Sequence, residues 1–434
     1  MTNIKKVSLL LLLAVASVVQ LSATAPADEQ MDSLMSSHKM IFFGDGDTPH
    51  ADSIRSLIYN FYYDQFRHFQ DPAAPYFLFM SKDANLAMGV GGCVRMRGYF
   101  DWGGALPASG FAPILIPIEK DPLNDKKLGT TPAGSALFFR VIGRNKKVGD
   151  YQLYIEANFN GYQSRDFHLK KAYATINDWT IGYANSTFSD PSALPPIIDA
   201  QGPNVKMSNT AVLIRWMRTW KQKWTMAASL ETPSMADIIS KDALARSQYI
   251  PDVATFVQYQ WGRSEHVRLA GIVRQLPYRD IIKEKNHTQV GWGVQLSSVF
   301  RPVDPLTVYA TVNGGKGYAG LGGDLLIGNH DLIADPEQPG RAYAPASWGY
   351  FVGLQYNFRP NLFVSTTFGQ ARYLPSKDVA PTEYKYGLYS STNIFWNLTP
   401  RIQAGAEFNI GKRQNFDHAH GWARRVGLMA QFSF

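Results

Sequence analysis

From residue 85 onward the chain alternates apolar and polar side chains with a period of two, in segments of roughly 8–18 residues that each end in a turn. The pattern predicts sixteen strands, near 85–102, 135–143, 150–160, 166–177, 178–184, 208–219, 222–231, 252–262, 265–276, 288–301, 304–313, 347–359, 361–372, 384–397, 399–411 and 421–434. In 150–160, Tyr151, Leu153, Ile155, Ala157 and Phe159 share one face, opposite Gln152, Tyr154, Glu156, Asn158 and Asn160. The segment 399–411 repeats the division, with Ile402, Ala404, Ala406, Phe408 and Ile410 against Arg401, Gln403, Gly405, Glu407 and Asn409. A strand built this way separates two media. Most segments have the length a tilted strand needs to cross a bilayer, so the apolar row meets lipid and the polar row meets water.

The connections alternate as well. Those at 103–134, 185–207, 232–251, 277–287, 314–346, 373–383 and 412–420 are long, and 161–165 is the short member of that set. Between them fall tight turns such as Asn177-Asp178, Lys221, Gly262-Arg263-Ser264, Pro302-Val303 and Pro360. Short turns at one end and long loops at the other predict an all-β fold, a transmembrane antiparallel β-barrel of about sixteen strands. Closure pairs every strand edge, as hydrocarbon requires. The even count puts both ends of the barrel on the short-turn, periplasmic side. Trp102, Trp179, Trp224, Trp261, Trp348, Trp396 and Trp422 stand near strand ends, where interfacial aromatic girdles belong.

Ahead of the barrel two segments behave differently. Lys5 and Lys6, the apolar run 7–19 and Ala25-Pro26-Ala27 read as a signal peptide over 1–27, cut after Ala27 and directing export. Within the extension 28–83, the stripe Ile54, Leu57, Ile58, Phe61, Tyr62 and Phe66 predicts a helix near 51–69, stopped by Pro72 and Pro75. That extension packs at the periplasmic base of the barrel, plugs the lumen or helps hold subunits together; the barrel itself is 84–434. Cys93 is the one cysteine and has no internal disulfide partner, so it reads as a small packing residue.

The formal net charge of +8 matters once the cations are placed. Arg95, Arg97, Arg140, His168, Lys170, Arg215, Arg268, Arg274 and Arg425 fall on rows opposite the apolar face and are the candidate pore-lining basic residues. Asp101, Glu156, Glu231 and Glu407 are the acids of those rows. Fixed guanidinium groups in a narrow, partly dehydrated passage favour anions, and the planar Arg fork suits carboxylates. The alternative is a ladder of Arg–Glu pairs that fills the wall. Lys171 has the parity of the lipid face, as does Tyr173. The third long connection, 185–207, carries four prolines, and it is the candidate constriction loop, with Asp190, Pro195, Pro196, Asp199 and Gly202 as its key positions. His418 and His420, and Asp45 with Asp47, lack the further ligands a metal site needs, so no metal and no cofactor is expected. No catalytic set is recognisable.

Four stretches carry a resemblance. Gly89–Gly104 (GVGGCVRMRGYFDWGG), Leu169–Ile176 (LKKAYATI), Gly182–Asp190 (GYANSTFSD) and Asp199–Pro203 resemble the DcaP-type trimeric outer-membrane channels of Gram-negative cells. The resemblance implies a sixteen-stranded homotrimeric porin for small anionic solutes, dicarboxylates among them. It also implies that Arg95, Arg97 and the 185–207 loop form the basic wall and constriction. The expected partners are outer-membrane lipid and lipopolysaccharide, further copies of the chain and small anions, with no nucleic acid. The competing function is a barrel scaffold or adhesin with a plugged lumen.

Overall fold

The computed structural model describes residues 39–45, Asp52, Ile54 and 77–434, apart from Ala84, Lys120, Lys146, 161–165, 235–237, Ile239, Arg263 and Asn329. The signal peptide and most of the 51–69 helix lie outside the described residues. Sixteen long strands follow one another. They are β1 (Leu86–Trp102), β2 (Ala136–Asn145), β3 (Gly149–Asn160), β4 (Asp166–Ile176), β5 (Trp179–Asn185), β6 (Thr210–Trp220), β7 (Trp224–Glu231) and β8 (Asp252–Gln260). Next come β9 (His266–Asp280), β10 (Lys285–Val303), β11 (Leu306–Lys316), β12 (Ala346–Arg359), β13 (Leu362–Leu374), β14 (Tyr384–Asn397), β15 (Ile402–Asn415) and β16 (His420–Ser433).

Each strand pairs antiparallel with the next, and β16 returns to β1 with Arg424 opposite Trp102 and Ser433 opposite Cys93. The sheet is a closed barrel. At the seam the backbones of Gly92 and Phe434 exchange hydrogen bonds of 2.9 and 3.0 Å, so the last residue is paired too. A Cβ on Gly92 would run into the Ala136 carbonyl oxygen, which explains a glycine where three strands converge. Below the seam Phe77–Ser81 pairs with the start of β1, and Lys39–Phe43 runs parallel beside it. Ile54 is buried there with Leu78, Met80, Ala87 and Ile142.

The two faces divide as the alternation requires. Val94, Met96 and Phe100 on β1, Leu153 and Ile155 on β3, and Leu269 and Val273 on β9 are exposed outward. Their neighbours Arg97, Tyr154, Arg268 and Arg274 are buried on the inside. In a barrel that spans a membrane, outward exposure is contact with hydrocarbon.

Three readings of the pattern change. The expected long connections at 277–287 and 412–420 are tight turns, because β9 and β10 stay paired out to Asp280 with Lys285 and β15 and β16 stay paired out to Gln414 with His420. Lys171 and Tyr173 face inward rather than toward lipid. The β3–β4 register shifts between Glu156 and Ala157: Glu156 stands opposite Lys171 while Ala157 stands opposite Leu169, leaving Lys170 as the extra residue of a bulge. A one-residue bulge inverts the parity of everything beyond it.

Candidate functional site

The 186–209 connection between β5 and β6 folds into the barrel and is bonded to the wall on several sides. At its start the Thr187 N–H donates to Glu231 Oε1 at 2.7 Å, and Arg215 Nε donates to Thr187 Oγ1 at 2.9 Å. Asp190 comes next and is nearly inaccessible. It accepts from His266 Nε2 at 3.0 Å and Ser297 Oγ at 2.5 Å, and lies 3.5 Å from Arg268 Nη1. Burial pushes its carboxyl upward, but Arg268 and His266 outweigh that and hold it well below the usual carboxylate range. Arg268 also donates to Gln258 Oε1 and to the Ser189 carbonyl, and its guanidinium lies 4.3 Å from the Phe256 ring centre.

The loop then crosses the lumen. Pro195 packs toward β12, where a Cβ on Gly353 would meet it, and the Pro196 carbonyl accepts from Ser365 on β13. On the far side the Ile198 N–H donates to Asn393 Oδ1 at 3.1 Å, and the Asp199 N–H donates to Glu407 Oε1 at 3.1 Å. Asp199 turns back on its own loop, accepting from the Gly202 N–H at 3.0 Å, and accepts from the Phe111 N–H at 3.0 Å. Gly202 has φ +68°, a left-handed turn residue. Arg95 and Arg97 each donate to the Ile198 carbonyl at 3.1 Å, and Arg97 lies 3.9 Å from Asp199. Asp190 and Asp199 therefore sit on opposite walls.

The other long loops dock in the same way. Arg425 makes a two-pronged pair with Asp101 at 2.5 and 2.8 Å and donates to the Ser109 carbonyl of the first loop. Arg274 bonds Asp252 at 3.1 Å and Asp331, in the 317–345 loop, at 3.0 Å. Two loops meet where Met207 bridges to Gly322. A Cβ at Gly322 would run into the Lys206 carbonyl oxygen, so only glycine allows that approach.

The nine cations singled out in the sequence thus sort into two groups. Arg97, Arg215, Arg268, Arg274 and Arg425 are buried and hold loops, and Arg140 is buried against Gln152 at 2.8 Å. Arg95, Lys170 and His168 keep accessible surface. Lys170 Nζ lies 2.6 Å from Glu156 Oε1, and Lys171 lies 3.7 Å from its other oxygen. His168 is near Asp166 at the tip of the β3–β4 hairpin, 3.7 Å away.

Sequence reasoning missed Lys206, although it lies inside the 185–207 segment. Its Nζ donates to the Ala200 carbonyl at 3.3 Å beside Gly202. Burial and the like charge of Lys170 lower it, against the pull of Asp199. Arg95, Arg97, Lys170, Lys171 and Lys206 place five cations around this crossing, against the three carboxylates Glu156, Asp199 and Glu407. The local balance is positive. Among the described residues no three His, Cys, Asp or Glu side chains converge to hold a metal.

A closed barrel of sixteen strands with long loops at one end, one of them folded through a basic lumen, defines an outer-membrane porin. The chain belongs to the DcaP outer membrane protein family, whose sequence profile matches residues 81–434. The crystal structure of the outer membrane channel DcaP of Acinetobacter baumannii superposes with a TM-score of 0.70 at 20% identity, covering 82% of this chain and 99% of that one. The anion-selective porin from Comamonas acidovorans gives 0.53 at 10% identity, covering 80% and 100%. A loop-deletion form of OmpT of Vibrio cholerae gives 0.51 at 10%, covering 81% and 100%. Among curated proteins no sequence matches. The protein is a member of an outer-membrane family and resides in that membrane.

Proposed function

We propose that this porin is a passive diffusion channel preferring small anionic solutes, dicarboxylates among them. The observation that carries the proposal is the positive crossing: Arg95 and Lys206 stay partly accessible and Lys170, paired with Glu156, stays exposed, while Asp190 and Asp199 are engaged by their own neighbours. A cation there lowers the electrostatic barrier for an anion and raises it for a cation. The anion-selective porin of similar fold supports the reading, and the family resemblance supports a basic wall that includes Arg95 and Arg97. The same resemblance supports a homotrimer, which gel mobility before and after boiling checks. The reading excludes a sealed scaffold barrel: planar bilayers should show steady open steps.

The test is the reversal potential across a tenfold salt gradient. Anion preference is expected. Replacing Arg95, Lys170 and Lys206 together with Gln should move the potential toward zero with the conductance steps retained. A cation-selective wild type, or an unchanged potential in the triple variant, defeats the proposal.

A further inference from the structure

The outer wall carries charges that the channel does not use. At the long-loop end, lipid-facing positions on the run of strands β13 to β16 hold Arg372 on β13, Lys412 on β15 and Arg424 on β16. Their facing comes from register. Arg372 stands opposite Trp348 and Tyr386, Lys412 opposite Leu388 and Trp422, and Arg424 opposite Ile410 and Trp102. The same rows continue downward into Phe368, Phe408, Val426 and Leu428, all exposed to the hydrocarbon side.

Among the described residues these cations form no ion pair. None of the three has a carboxylate within 4.0 Å there, in contrast to the paired Arg97, Arg268, Arg274 and Arg425 of the lumen. Aromatic faces and polar neighbours hold Arg372 and Lys412 in place instead. Arg372 lies 5.3 Å from the Tyr386 ring centre and 5.9 Å from that of Trp348, and its Nε has no hydrogen-bond partner. Lys412 Nζ donates to the Tyr386 hydroxyl and to Gln414 Oε1, both at 3.1 Å, and stands 5.8 Å from the Trp422 ring centre. Arg424 and Trp422 open onto a cavity of about 750 Å³ whose lining from the first loop includes Glu119, Asp121, Asp125 and Lys127.

Like charges on a lipid-facing wall cost free energy, least near the interface and least of all when an anion sits between them. In an outer membrane the leaflet facing the long loops is built of glycolipid bearing phosphates. Arg forks and a Lys ammonium suit phosphate oxygens, aromatic rings suit sugar faces, and the apolar rows below suit acyl chains. We infer that Arg372, Lys412 and Arg424 with Trp348, Tyr386 and Trp422 form a docking site for the phosphorylated headgroup of an outer-leaflet glycolipid. The inference rests on the outer-membrane location and not on anion selectivity, so the two fail separately.

The probe is a bis-phosphorylated, hexa-acylated glucosamine disaccharide, added to full-length protein in detergent and followed by native mass spectrometry. Its dephosphorylated form and phosphatidylglycerol serve as comparisons. Retention of the phosphorylated disaccharide is expected to exceed that of either comparison at least tenfold, and to fall at least tenfold in R372Q/K412Q/R424Q. The single variant Arg424→Gln, at an exposed position, should lose part of the retention with heat modifiability unchanged, which covers the case of a triple variant that fails to fold. Equal retention of all three lipids overturns the site, as does undiminished binding by the variants. A triple variant that binds lipid normally but falls to smaller oligomers would assign the row to contacts between copies and equally overturn it.

Discussion

Asp190→Asn isolates the latch that holds the crossing loop to β9 and β10. The substitution keeps the shape of the side chain and removes its charge. It leaves Arg268 buried beside a neutral amide, and His266 without its anion. Breaking a buried pair by removing one partner costs about 3–5 kcal/mol. The lower end applies here, because Arg268 keeps Gln258 at 2.6 and 2.8 Å, the Ser189 carbonyl at 3.1 Å and the Phe256 face. A cost of about 3 kcal/mol raises the population of the released latch by roughly two orders of magnitude. The barrel should not follow, since the hydrogen bonds joining β9 to β8 and β10 are untouched. Hydrogen exchange read by mass spectrometry in detergent distinguishes the two: peptides over 186–193 should lose protection while those over β9 and β10 keep it. In D190N/R268Q the loss should be less than the sum of the single losses, because the second change removes the stranded charge. Unchanged protection of 186–193 in D190N would refute the reasoning, as would a loss spread evenly over β9 and β10.

The bulge at Lys170 places a charge inward at 171 and excludes one at 172. Lys171→Leu strips a buried cation from Glu156 and should weaken the barrel, while Ala172→Lys puts a charge on the lipid face and should cost up to about 2–4 kcal/mol. If urea titration of the folded, heat-modifiable form finds A172K harmless and K171L stabilising, the register is wrong. A second expectation concerns pH and Asp324 in the 317–345 loop. Burial raises it from 3.8 to about 7, with the Tyr384 hydroxyl donating to it at 3.1 Å. A docked loop that keeps its proton where the free loop gives it up binds less well as pH rises from about 4 to 7, and levels off above. Proteolytic nicking of 317–345 should therefore be faster at pH 8 than at pH 5, with the Asp324 contribution abolished by Asp324→Asn; an identical pH response in both proteins rejects the assignment.

The period of two and the alternation of turn lengths by themselves determined a closed barrel of sixteen strands, because hydrocarbon on one face and water on the other leave few residues a choice of side. The rows carrying Arg95, Arg97, Arg140, Arg215, Arg268, Arg274 and Arg425 were legible for that reason, and so was the loop 185–207, whose four prolines stiffen a segment too long for a simple turn. What each cation does was not legible. Facing inward is a property of parity, whereas pairing depends on which loop arrives opposite: Asp190 reaches β9 and Asp331 reaches Arg274 only through the path of chains far away in sequence. The bulge at Lys170 escaped for a related reason, since an extra residue shows in the register between two strands and not in either strand alone. Lys206 came into the site because its own loop folds back across the lumen, and Arg372, Lys412 and Arg424 became one row only when β13 to β16 were assembled in the sheet. Local alternation is set by the solvent on each face; the meeting of charges is set by the closure of the sheet and the descent of its loops.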